Sequence, residues 1–269
     1  MDRLMPAPGV TAALNFAADR RDGGIWSNTW RERITQALVA QPVTLHDARQ
    51  LPSPPSLERE GFEIHPMPLD GGDWENPAWV AEYYLPQALQ LVAALTGAAH
   101  VAPLYHGAIL IRDTGDPHRA PAAEFVHLDQ TRDAVQPFLE MAADADLRER
   151  YPHYRIFNLW RSLTPPPQDV PLALCDQRTL EERDWVIGRT VEPNFPQGVP
   201  YLSSVHNPAQ RWHYFSAVTQ DEVIVFKGFD SDSSQPMGCL HGAFQQPGLA
   251  PGSVPRASVE LRVFAFYES

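Results

Sequence analysis

Cysteine is nearly missing from this chain. Of 269 residues only Cys175 and Cys239 are cysteines, far apart in sequence. That excludes a disulfide framework or a thiolate metal cluster, and it leads us to expect a reducing, cytoplasmic setting. Long hydrophobic runs are also missing. No segment approaches the ~20 consecutive apolar residues that a membrane helix needs. The opening stretch MDRLMPAPGVTAALNFAADRRDGG has no apolar run of leader length and carries acidic residues early, so no secretory signal is expected. Positive charge is scarce: 21 Lys and Arg against 33 Asp and Glu leave a formal charge of −12. This argues against a general nucleic-acid binder or an anionic-membrane binder, yet leaves room for an anion held in a local basic pocket. No internal repeat or low-complexity tract appears.

What is present fits one folded domain. Hydrophobic residues make up 43% and charged residues 20% of the chain, enough for a sizeable core. The 27 prolines are scattered, as punctuation between short elements rather than as a linker. Thr29 to Ala40 predicts a short helix, with Asn28 or Thr29 as its N-cap. Asn76 to Thr96 predicts the strongest helix, with Asn76 capping, Pro77 at the first helical position, Gly97 as the stop and a kink at Pro86. From Val101 the pattern turns to short β-type runs: Leu104–Arg112, Ala122–Leu128, Arg155–Leu163, Val170–Leu174, Arg211–Thr219, Glu222–Phe229 and Ala257–Tyr267. One helix, Arg132 to Arg150, interrupts them. The expected fold is mainly β with flanking helices, a jelly roll or barrel of the cupin-like, double-stranded β-helix kind. Residues 1–100 are expected to wrap a β-helix core spanning 101–269, the whole forming a single domain.

Three pieces of chemistry stand out in order. His127 and Asp129 lie two residues apart at the end of a strand, so both side chains leave the same face and can converge on one ion. A third ligand could come from His106, His206, His213 or His241; His241 is favoured because it lies beside Gly242, ahead of the last strand. Two histidines and one carboxylate on one side of a metal leave positions open for oxygen and a co-substrate, the facial triad of non-haem Fe(II) oxygenases. Arg256 and Ser258 begin the last strand, where a guanidinium fork and a hydroxyl suit a dicarboxylate such as 2-oxoglutarate. Arg256, Ser258, Glu260 and Arg262 share one face, but at ~3.3 Å rise per residue Arg256 and Arg262 are on the order of 20 Å apart. Both cannot grip the same carboxylate. Arg262 is therefore expected to be structural, paired with an acidic side chain.

Taken together, DARQL and LEREGFEIH near 47–65, TGAAHV at 96–101, VHLDQT at 126–131, FNLWRSL at 157–163, PLALCD at 171–176, DEVIVFKGFDS at 221–231, CLHGAF at 239–244 and PRASVELRVFAF at 255–266 resemble the hydroxylase/desaturase family typified by AsaB and by the J component of the cephamycin 7α-methoxylase. The resemblance implies a double-stranded β-helix oxygenase that uses Fe(II), 2-oxoglutarate and O2. It implies His127, Asp129 and His241 as the metal ligands and Arg256 with Ser258 as the 2-oxoglutarate anchor. Asn158, Trp160 and Arg161, in a motif similar to the family's Asn-x-Trp-Arg, would line the substrate pocket. Ser162 follows Arg161 where the family usually has proline, and His213 stands where it tends to have an aromatic residue. The expected substrate is a small molecule, a natural product or a modified amino acid, to be hydroxylated, desaturated or cyclised. Two other readings share parts of the pattern. A cupin-type metalloenzyme would keep the histidines without needing Arg256. A non-catalytic protein would present substrate to a second biosynthetic enzyme, as the J component works with a partner.

Overall fold

The computed structural model describes residues 9–69, 71–249 and 253–268. The first eight residues of the stretch read for a leader lie outside them. Fifteen strands form two sheets. In chain order they are β1 (Gly9–Ala17), β2 (Ile25–Trp26), β3 (Leu38–Asp47), β4 (Phe62–Pro66) and β5 (His100–Pro103). Then follow β6 (Leu110–Asp113), β7 (His127–Leu128), β8 (His153–Ser162), β9 (Leu172–Cys175) and β10 (Trp185–Glu192). The last five are β11 (Phe195–Ser204), β12 (Trp212–Tyr214), β13 (Glu222–Asp230), β14 (His241–Ala243) and β15 (Ala257–Tyr267). The larger sheet has nine strands in the order β1-β3-β12-β9-β14-β7-β11-β10-β2. The smaller has six, β4-β13-β8-β15-β5 with β6 also paired to β15. This is a jelly roll, the expected class.

Alternation explains the layers. On β15, Phe264 and Phe266 face the large sheet and join Leu14, Leu45, Val126, Ala173 and Trp212 in a core between the sheets. The intervening Leu261, Val263 and Ala265 face the other way, with Phe157 and Leu159 of β8 and Val223 and Val225 of β13. That second face is roofed by a helix that buries Val80, Tyr84, Ala88 and Val92. Both faces of the small sheet are thus covered, which is why much of its strands reads as apolar runs. No helix among the described residues is long and apolar enough to cross a membrane.

The roofing helix starts and stops as its sequence predicts. The Asn76 side chain accepts from the amides of Ala78 and Trp79, and Gly97 closes the helix in the left-handed region at φ 64°. The kink expected at Pro86 takes another form. Val80–Tyr84 is a turn of π-helix, and the α-helix resumes over Leu85–Thr96. The wider turn ahead of Pro86 absorbs the carbonyl that its ring would strike.

Other expectations need correction. The helix expected over Thr29 to Ala40 is a single 3-10 turn at Arg31–Arg33, after which Leu38 opens the ten-residue strand β3. Alternation from Val43 on, with Val43, Leu45 and Asp47 inward, outweighs the helical spacing before it. The helix expected over Arg132 to Arg150 is two short ones, Gln136–Ala142 and Ala145–Arg150; Ala143 is extended and the Asp144 side chain caps the second. The strand expected from Leu104 begins only at Leu110, because Tyr105 and His106 both take positive φ in a tight turn. Residues before His100 contribute β1 and β3 to the large sheet, where β3 runs parallel to β12, and β4 to the small one, where it pairs with β13.

Candidate metal centre

Two short strands bring the histidines together. β7 and β14 are neighbours in the large sheet, and His127 lies directly opposite His241 in their antiparallel register. Gly242 makes the approach possible: a Cβ there would lie 2.6 Å from the carbonyl oxygen of Phe125. The imidazole centroids are 4.3 Å apart. Asp129 follows β7 and turns its carboxylate between them, with Oδ1 3.9 Å from His127 Nε2 and Oδ2 3.7 Å from His241 Nε2. One donor atom from each of the three lies within 4.8 Å of the others, and among the described residues no other group of His, Cys, Asp and Glu does this. His106, His206 and His213 are not part of it.

The donors are prepared as ligands. His127 Nδ1 donates to Phe125 O at 2.9 Å and His241 Nδ1 donates to Cys239 O at 3.2 Å. With the proton on Nδ1, each Nε2 lone pair is free and aimed at Asp129. Burial holds both rings neutral: His127 is pushed down to about 3 by desolvation and then by His241, and His241 is lowered by desolvation. Burial alone would raise Asp129, but the Arg262 guanidinium and the two histidines outweigh it and hold the carboxyl below its ordinary value. Arg262 donates to Asp129 Oδ1 at 2.7 Å, and Asn158 donates to Oδ2 at 2.7 Å. Two neutral imidazole nitrogens and one ionised carboxylate on one side of a point make a donor set that fits a divalent transition metal with its remaining positions open.

Behind the histidines lies a narrow cleft lined by His127, His241, Trp160, Glu260 and Arg256. Arg256 is 1% exposed, and its guanidinium donates to Val170 O at 2.7 Å and lies 5.6 Å from the Trp160 ring centroid. Its Nε finds no hydrogen-bond partner, and neither does the buried Ser258 hydroxyl. No carboxylate forms a salt bridge with this guanidinium among the described residues, and burial lowers it to about 10. A buried cation with spare donors beside an unpartnered hydroxyl has the chemistry to accept an anion. In front of the triad opens a larger cavity of about 450 Å³, walled by Trp26, Tyr105, Phe125, Phe195 and Tyr201 and reaching His127 and Asp129.

The structure places the other expected residues unevenly. Asn158 bonds to Asp129 rather than facing the open cavity. Trp160 stacks under Arg256 in the cleft. Arg161 does not join the site. Three positions along β8 from Asn158, it points to the opposite face and donates to the carbonyls of Gln220 and Met67 beneath Tyr84, fastening the helical roof. Ser162 is fully buried, and its hydroxyl donates to Thr164 O at 2.8 Å. His213 packs on Phe62, with centroids 5.6 Å apart. The two thiols are buried and burial raises both, Cys175 to about 12. Sequence reasoning missed Glu260 and Arg112, which join at 2.8 Å in the cavity wall. Glu260 shares its strand face with Arg256 and Arg262, and that alternation was the available signal.

A family model described as Oxidoreductase/YMDC permease-like domain matches residues 14–266. The chain is 28% identical to the hydroxylase/desaturase efuI of Hormonema carpetanum, over 100% of this chain and 98% of that protein. It is 26% identical to the Fe(II)/2-oxoglutarate-dependent dioxygenase nvfI of Aspergillus novofumigatus, over 98% of this chain and 89% of that one. It is also 26% identical to the hydroxylase/desaturase CTB9 of Cercospora beticola, over 98% of this chain and 89% of that one. In fold it is similar to the solved structure of the iron and alpha-ketoglutarate-dependent endoperoxidase NvfI, with a TM-score of 0.84, 24% identity, and 99% and 100% of the two chains covered.

Proposed function

The chain belongs to the Oxidoreductase/YMDC permease-like domain family, and from that premise we propose that it is a single-domain, non-haem Fe(II)/2-oxoglutarate-dependent oxygenase that hydroxylates or desaturates a small molecule of secondary metabolism. Within the family it stands with the hydroxylase/desaturases typified by AsaB and the cephamycin J component. One observation carries the reading: a His-Asp-His cluster within 4.8 Å, its histidines buried, lies beside a buried arginine that no carboxylate pairs. A cupin-type enzyme without 2-oxoglutarate would have no use for that cation. The names of efuI and nvfI support the same chemistry.

His127, Asp129 and His241 would hold the iron. With iron bound, 2-oxoglutarate and O2 supply an oxidative decarboxylation to succinate and carbon dioxide coupled to oxidation of a substrate C–H bond. The protein's part is positioning and electrostatics. Arg256 and Ser258 take the far carboxylate of 2-oxoglutarate, giving the orphaned Nε and hydroxyl their partners. Trp160 forms the dry wall that keeps this ion pair from water. Arg262 and Asn158 each bind one oxygen of Asp129, so the carboxylate is held ionised and in one orientation. Retention of Asp129 argues against halogenation, which needs that position vacant. The formal charge of −12 and two buried reduced thiols support a cytoplasmic enzyme that does not bind nucleic acid.

The test is Fe(II)-dependent release of succinate from 2-oxoglutarate, screened over candidate metabolites. His127→Ala should abolish it while the protein stays folded; an unchanged rate would sink the assignment. Arg256→Ala separates the rivals, since a cupin-type enzyme keeps its activity and this one loses it.

A further inference from the structure

The walls of the 450 Å³ cavity carry five charged side chains besides the histidine, and four of them are already spent on one another. Arg112 of β6 donates from Nε to Glu260 at 2.8 Å and from Nη1 to Asn28 Oδ1 at 3.0 Å and Pro121 O at 2.7 Å. Arg262 of β15 donates to Asp129 at 2.7 Å and lies 3.9 Å from Glu260. The run Arg112–Glu260–Arg262–Asp129 is therefore self-neutralising and ends on the metal-facing carboxylate. The fifth charge, Glu192 of β10, accepts from the Asn28 amide at 2.6 Å, from Asn28 Nδ2 at 3.0 Å and from Ser27 Oγ at 3.4 Å. It serves to hold the Ser27–Asn28 turn over the cavity. No cation without an anionic partner lines this space among the described residues; Arg256, which no carboxylate pairs, lines the adjoining narrow cleft, whose wall shares Ala123, His127 and Glu260 with the cavity. The rest of the wall is uncharged: carbon from Trp26, Phe125, Phe195, Val199 and Leu110, with a minority of neutral polar side chains such as Gln130 and Thr190.

From this we propose that the cavity takes an uncharged, largely apolar molecule of drug size, and that amino acids and carboxylated metabolites are excluded from it. The proposal rests on the oxygenase reading only in making that molecule the substrate. A carboxylate brought into the cavity would lose its water and meet only guanidiniums already paired with Glu260 and Asp129, in a wall where three carboxylates outnumber two arginines. An amino acid would gain one ionic contact for its ammonium and leave its carboxylate stranded. An apolar skeleton loses only surface that water disfavours, and aromatic walls suit it. The volume is within the ~300–1,000 Å³ usual for pockets that enclose drug-sized ligands.

Calorimetric titration of the metal-free protein tests this with three kinds of probe: the neutral molecules coumarin and 11α-hydroxyprogesterone, the hemisuccinate ester of that hydroxysteroid, and phenylalanine. At least one neutral probe should bind below ~1 mM, the hemisuccinate should bind at least ~10-fold more weakly than its parent, and phenylalanine should give no heat. Val199→Trp, which fills the cavity, should abolish binding of the neutral probe. A hemisuccinate or phenylalanine affinity equal to the neutral one overturns the proposal. So does the failure of both neutral probes, or neutral binding that Val199→Trp leaves intact. Co(II) titration of the same protein is read separately: no metal binding defeats the oxygenase reading and leaves the cavity's preference standing on its own result.

Discussion

Replacing Arg256 by methionine should change the protein in two opposite ways. The guanidinium is 1% exposed, makes one carbonyl hydrogen bond at 2.7 Å and leaves Nε without a partner. Glu260 and Asp169 offset part of its charge from a distance, but no carboxylate touches it. A buried ion so poorly compensated is commonly less stable than an apolar side chain of similar volume by ~1–4 kcal/mol. Met is unbranched and long enough to fill the same channel over Trp160. Taking the lower half of that range, Arg256→Met should gain about 1–2 kcal/mol and raise the melting temperature of the 2-oxoglutarate-free protein by ~2–6 °C. With 2-oxoglutarate present the order reverses. Losing a buried charge pair to the ligand costs ~2–5 kcal/mol, which is ~30-fold or more in affinity. The assay is thermal denaturation of Co(II)-loaded wild type and variant, each with and without 2-oxoglutarate. The wild type should be stabilised by the ligand and the variant should not. A variant that melts lower without ligand, yet is still stabilised by it, would refute both the anion-site reading and the energetics behind it.

The same site and fold yield further expectations. Arg262→Met removes the donor on Asp129 Oδ1 and should weaken Fe(II) or Co(II) binding by ~10- to 100-fold, with Arg262→Lys in between; metal titration with equal affinity in all three would contradict the role given to Arg262. Acid should weaken the fold through its buried histidines. Burial, with His46 nearby, lowers His213 from 6.5 to about 4, so on acidification the unfolded chain takes up a proton before the native one does. Its contribution to stability is complete above pH ~6.5 and is lost as the pH falls from there toward ~4. His213→Phe should therefore flatten the stability–pH curve in that window by about one proton, measured by urea denaturation at successive pH values; an identical slope would refute it.

Much of the site could be read from the chain because strands impose parity. His127 and Asp129 share a face by their spacing, and so do Arg256, Ser258, Glu260 and Arg262, whose separation kept Arg262 apart from the ligand proposed for Arg256. What could not be read was contact across the fold. That Arg262 would want a carboxylate was clear, but its partner Asp129 lies 133 residues away in sequence. β14 is only three residues long, too short for any periodicity, so His241 rested on its place beside Gly242 ahead of the last strand and on resemblance. Arg161 shows the opposite error. Motif similarity carried it into the pocket although it sits three positions from Asn158, and on a strand that is the other face. The N-terminal hundred residues were the least legible, because β1 is an edge strand paired with β3, and β3 joins the rest of the sheet through β12, far along the chain.

Anaerobic addition of Fe(II) and 2-oxoglutarate to the purified protein bears on all of this without any need for a substrate. Iron chelated by the 2-oxo acid gives a visible charge-transfer band. The band should appear in the wild type, vanish in His127→Ala, and require a much higher 2-oxoglutarate concentration in Arg256→Met. A wild-type protein that shows no band at saturating iron and 2-oxoglutarate, or a His127→Ala variant that shows the same band, would contradict the assignment of His127, Asp129, His241 and Arg256 to one oxygenase centre.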